Sequence, residues 1–91
     1  MTLKAAKSPG SADSSRELVV RSSVDLGAVI RDRRKQLALT QLDLAGLSNS
    51  GNRFIVEVEG GKPSVQLQKV IDLVDLLGLE LAVRAKTSRM P

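Results

Sequence analysis

Between Ser22 and Leu39, "SSVDLGAVIRDRRKQLAL", apolar residues return at helical spacing. Leu26, Val29, Ile30 and Leu37 share one face, and Arg31, Asp32, Lys35 and Gln36 occupy other sectors. The pattern predicts a first helix, with Ser23 as its N-cap and Asp25 in the first turn, where a carboxylate favours the helix dipole. Thr40 caps a second helix, "QLDLAGLS", with Leu44 and Ala45 inward. "SNSG" makes a turn in which Asn49 tolerates positive φ and Gly51 serves as an N-cap. A third helix runs from Asn52 to about Glu59, with Ile55 and Val58 inward, and "GGKP" stops it. "SVQLQKVIDLVDLLGLE" forms a fourth, ended by Gly78.

The fourth helix carries more apolar surface than one core needs. Gln68, Lys69, Asp72 and Asp75 make a narrow polar stripe, and Leu67, Val70, Ile71, Leu73, Val74, Leu76 and Leu77 cover most of the rest. A second subunit is the simplest explanation. After Gly78 the period changes to two: Leu79, Leu81 and Val83 alternate with Glu80, Ala82 and Arg84. That is a strand pattern in a helical chain, and a lone strand needs a partner. The same strand from a second copy serves, and Leu18–Arg21 is a further short β-branched stretch. Residues 1–17 and 86–91 show no periodicity and read as flexible tails, flanking a domain over 18–78 and a dimerisation strand over 79–85.

Composition narrows the chemistry. The 91 residues contain no cysteine and no histidine, which excludes disulfides, thiolate zinc sites and the commonest general base. Asp72 and Asp75 stand without a nucleophile, base or ligand set, so a solvated helix face is the better reading. "EGGKP" lacks the spacing of a phosphate-cradling loop. No catalytic residue, metal, cofactor or small-molecule ligand is expected. Phe54 is the one aromatic, too little for a base-stacking platform. A net charge of +4 points mildly to an anionic partner. No apolar run is long enough to span a bilayer, and the first residues have no signal-peptide core, so a cytoplasmic location is expected.

The second and third helices with their tight turn have the spacing of a helix-turn-helix. In that motif the first turn of the second member meets base edges in the major groove. This accounts for the polar pair Asn52 and Arg53 at a helix start: Asn pairs bidentately with adenine and Arg with guanine. Val56 is placed to touch a thymine methyl. Glu57 either accepts from cytosine N4 or orients Arg53 as an i, i+4 pair, and the second role is favoured. Arg31 and Lys35 are candidate backbone contacts, although a solvated helix face accounts for them equally well.

"IRDRRK", "LTQLDLA" and "VEGGK" resemble the Xre/Cro-like helix-turn-helix of phage repressors. The stretch "RFIVEVEGGKPSVQLQKVIDLVDLLGLEL" is similar more specifically to HipB-type antitoxins, and the likeness extends over about Val20–Arg84. The resemblance implies an all-α, lambda-repressor-like bundle of about four helices, with the C-terminal strand pairing across a homodimer. It implies a phosphate contact from Gln41, capping by Thr40, and a structural pair of Arg34 with Glu59 that presents Arg34 to a phosphate; Thr40, Gly51 and Lys35 are further candidate phosphate contacts. It further implies a repressor of an inverted-repeat operator, autoregulating a toxin–antitoxin operon and neutralising a HipA-like serine/threonine kinase toxin. A solitary phage-type repressor, or a protein-interaction module without a toxin, is the alternative. The chain departs from the family in its turn, where Asn49 and Ser50 replace glycine and an apolar residue, in Gly46 within the second helix, and in lacking a basic residue near Gly51.

Overall fold

A computed structural model describes residues 17–86. The expected tails at residues 1–16 and 87–91 lie outside the described residues. Four helices follow in order: α1 (Ser23–Gln36), α2 (Gln41–Leu47), α3 (Asn52–Glu59) and α4 (Leu67–Leu76). None of the described helices is long and apolar enough to cross a membrane. The core gathers Ile30 from α1, Leu44 and Ala45 from α2, Ile55 and Val58 from α3, and Val70, Leu73, Val74 and Leu77 from α4 and its end. Leu26, Phe54, Val65 and Leu79 pack on its margin.

Local chemistry sets most of the boundaries. Thr40 and Asp43 form a reciprocal capping box: the Asp43 N–H donates to Thr40 Oγ1 at 2.9 Å, and the Thr40 N–H donates to Asp43 Oδ2 at 2.9 Å. Asn49 has φ 54°, as the turn requires. Gly61 (φ 84°) and Gly78 (φ 77°) end α3 and α4 in the left-handed region. Ala38 (φ 59°) does the same after α1, where glycine is the usual residue; the Leu39 N–H bonds back to the Arg34 carbonyl at 3.1 Å.

Three expectations are corrected. The N-cap of α1 is Ser22, whose Oγ accepts from the Asp25 N–H at 3.0 Å. Ser23 instead donates its hydroxyl to the Gly61 carbonyl at 2.9 Å, tying the start of α1 to the loop after α3. Leu37, expected on the buried face, sits at the C-cap of α1 and is exposed. The fourth helix begins at Leu67 rather than near Ser64, because Val65 first seats against the core before the chain turns into the helix. The strand over 79–85 is expected only against a second copy; in the single chain no strand forms among the described residues, and residues 80–86 make no backbone hydrogen bonds.

One close approach fixes how α1 lies on α3. A Cβ at Gly27 would stand 2.3 Å from the Val58 carbonyl oxygen and 2.8 Å from that of Glu59. Only a residue without a side chain lets the helices meet there. At the other end of α1, Arg33 Nε donates to the Leu77 carbonyl at 2.8 Å, fastening the C-terminus of α4.

Candidate nucleic-acid interface

The α2–turn–α3 unit presents α3 with one face sealed and one face open. Ile55 and Val58 are buried in the core. Asn52, Arg53 and Val56 are exposed, and the Arg53 side chain is 89% accessible. Glu57 is half-buried at the edge of this face. Its Oε2 receives Arg53 Nε at 3.2 Å, which is the i, i+4 pair expected from the sequence. The same oxygen receives Lys62 Nζ at 3.1 Å. The Lys62 hydrogen bond, helped by Arg53, holds the Glu57 carboxyl below its usual range against the opposing effect of burial. Arg53 is therefore restrained at one edge while its terminal nitrogens remain outward.

Behind α3 lies a polar brace that links three helices. Arg34 of α1 reaches Glu59, the last residue of α3, through two bonds: Nε to Oε2 at 2.6 Å and Nη2 to Oε1 at 3.0 Å. Its Nη1 donates to the Leu39 carbonyl at 2.8 Å. Gln41, the first residue of α2, donates Nε2 to Glu59 Oε1 at 3.1 Å. The Glu59 side chain is 3% exposed and Arg34 is 7% exposed. Burial pushes the Glu59 carboxyl up, but the hydrogen bonds from Arg34 and Gln41 outweigh it and leave the group below its ordinary value. The Glu59 hydrogen bond raises Arg34 in turn, against burial. This carboxylate stays ionised because three donors converge on its pair of oxygens.

The structural pair of Arg34 with Glu59 is thus formed, and it decides the fate of Arg34. This buried guanidinium has three N–H directions engaged inside the protein, which leaves little of it to meet a phosphate. Gln41 is half-buried, with one amide hydrogen committed to Glu59. Thr40 is exposed at the start of α2, although its hydroxyl already accepts from Asp43. Gly51 is exposed at the N-cap of α3, with nothing within 4 Å of where a Cβ would lie. Lys35 is exposed in the last turn of α1 and joins none of these groups through a hydrogen bond among the described residues.

Two contributors escaped the sequence reading. Asp43 completes the capping box, and the Thr40 N–H holds its carboxyl below the usual range; the T-x-x-D spacing was the available signal. Lys62 shares Glu57 with Arg53 across the α3 terminus, a contact that only the glycine turn at Gly61 brings about.

No protein-family model matches the chain. A protein described as an uncharacterized HTH-type transcriptional regulator, y4mF, of Sinorhizobium fredii is 39% identical over 70 residues, covering 77% of this chain and 92% of that one. The chain belongs to the HTH-type transcriptional regulators. Solved structures agree on the fold of this regulator. It is similar to HipB in a HipA–HipB–O2–O3 complex, with a TM-score of 0.71, 18% identity and coverage of 78% of this chain and 100% of that one. It is also similar to the restriction-modification controller protein C.AhdI of Aeromonas hydrophila, with a TM-score of 0.58, 31% identity and coverage of 64% and 88%.

Proposed function

We propose that this regulator is a sequence-specific DNA-binding repressor, acting as a homodimer on an inverted repeat. The observation that carries the reading is the open face of α3. Asn52, Arg53 and Val56 project from a helix whose other side is locked into the core, and Glu57 aims the guanidinium. Asn52 and Arg53 read adenine and guanine edges, and Val56 meets a thymine methyl. Thr40, Gln41, Gly51 and Lys35 approach the phosphates, which fix orientation without reading sequence. Residues 18–78 form the DNA-binding domain. Residues 79–85, with the exposed Leu67 and Ile71 of α4, join two copies, setting the α3 helices about one DNA turn apart, ~34 Å.

The test pairs selection of bound fragments from random DNA with Arg53→Ala. That variant is expected to lose about 1–3 kcal/mol on the selected duplex, mostly at one base position, while random duplexes are bound nearly as before. Equal losses on both duplexes would reduce Arg53 to a phosphate contact.

The similarity in fold to a HipB seen with HipA supports a finer reading: an antitoxin that represses its own operon and neutralises a HipA-like kinase toxin in the cytoplasm. A kinase-sized reading frame beside the gene, whose product forms a complex with this chain and loses activity in it, is the expected result. Absence of such a frame leaves a solitary repressor.

A further inference from the structure

Lys62 stands at the edge of the face that α3 presents. The chain leaves α3 through a left-handed closure around the cap residue Gly60: the Gly61 N–H donates to the Val58 carbonyl at 3.0 Å, and the Lys62 N–H reaches back to the Glu57 carbonyl at 3.0 Å. Such a closure sets the second residue after the cap beside the third residue before it, where two apolar side chains usually meet. Here the pair is a cation and an anion. Lys62 Nζ donates to Glu57 Oε2 at 3.1 Å, so backbone and side chain both tie Lys62 to Glu57. Arg53 Nε comes to the same oxygen at 3.2 Å from a side chain that is otherwise open to solvent. Glu57 thus has one anchored cation and one loose one.

Resting on the base-reading role proposed above for Arg53, we infer that Lys62 is a positioning residue for base recognition: it holds Glu57 so that Arg53 is aimed at guanine without being captured. A carboxylate with Arg53 as its sole partner opposes every move of the guanidinium toward a base, because the move strips it of its cation. It would then face the phosphates of the duplex unpaired, at a cost in like-charge repulsion. With Lys62 in place, one cation stays on Oε2 when the other departs. Two cations on one oxygen also divide its pull, so Arg53 is held more weakly than by a carboxylate of its own. Glu57 keeps its place through the exchange, because Lys62 is anchored by the closure of α3 and not by the DNA. The competing role for an exposed lysine is a plain phosphate contact. The two roles differ in what they change: a phosphate contact adds affinity to every duplex alike, whereas a residue acting through Glu57 alters the preference at one base pair.

The probe is the duplex that the full-length protein selects from random DNA, beside a copy altered at the base pair whose identity Arg53→Ala ceases to distinguish. The ratio of the two dissociation constants measures discrimination, and any general electrostatic effect cancels from it. Lys62→Met is expected to lower that ratio on the order of threefold, the size of an exposed ion pair, and Lys62→Arg to restore it. In a Glu57→Gln background Lys62 has no charge to hold, and Lys62→Met is expected to leave the ratio unchanged. Circular dichroism melts of these variants are expected to stay close to the parent, since the bonds that close α3 at Gly61 and Lys62 are made by the backbone. If Lys62→Met weakens both duplexes equally, flattens the salt dependence by about one charge and does the same in the Glu57→Gln background, Lys62 is a phosphate contact only. That result overturns the inference and leaves Arg53 its role. If Arg53→Ala blurs no base pair at all, the base reading fails, and the inference with it.

Discussion

Replacing Glu59 by alanine should damage the fold far more than it damages any one contact surface. The substitution removes both acceptors of the Arg34 Nε and Nη2 bonds and the acceptor of Gln41, and leaves a guanidinium only 7% exposed with the Leu39 carbonyl alone. Breaking a buried pair from one side costs about 3–5 kcal/mol, because the remaining charge stays desolvated. The 70 described residues (17–86) support a total stability of about 3.5–10 kcal/mol at ordinary per-residue values. The variant is therefore expected to be largely unfolded or close to it. Urea melts followed by helical circular dichroism at fixed protein concentration give the difference. Arg34→Met/Glu59→Leu, which removes both charges and keeps volume, is expected to regain most of the loss. Acid supplies an independent check. Because folding lowers the Glu59 pKa, its contribution is complete above the usual 4.5 and disappears as pH falls through the lower folded value. Glu59→Gln should flatten that part of the acid profile while losing stability at neutral pH. A Glu59→Ala midpoint corresponding to less than about 1 kcal/mol of loss would refute the claim that this carboxylate holds the three helices together, since that is the range of an exposed pair.

Two glycines should respond to alanine with opposite signs. Gly27→Ala forces a Cβ onto the Val58 and Glu59 carbonyl oxygens and should cost about 1–3 kcal/mol in urea melts, whereas Gly46→Ala meets nothing within 4 Å in α2 and should gain up to about 1 kcal/mol. Ala38→Gly relieves a positive φ after α1 and should raise the thermal midpoint, with a gain on the order of 0.5–1 kcal/mol. Truncation after Gly78 should leave the four helices folded by circular dichroism and weaken dimerisation in sedimentation; an undiminished dimer would remove the terminal segment from the interface.

Elements whose signals act over a few residues were legible in the chain alone. Thr40 begins α2, Asn49 takes the turn, and Gly61 and Gly78 end their helices, because caps and left-handed turns are decided by hydrogen bonds and sterics within one turn of the backbone. Periodicity likewise placed Leu44, Ala45, Ile55 and Val58 in the core and left Asn52, Arg53 and Val56 outside it. The folded arrangement decided matters that depend on residues far apart in sequence. Ser23 gave its hydroxyl to Gly61, 38 positions away, and so yielded the cap of α1 to Ser22. Arg34 turned inward toward a carboxylate 25 positions on, a pair that the family resemblance implied and the helix pattern did not, and Gln41 joined the same carboxylate. Gly27 became indispensable only where the end of α3 crossed it. A helix pattern records which residues avoid water, but a buried polar group depends on finding its partner, and that partner exists only once the helices have met.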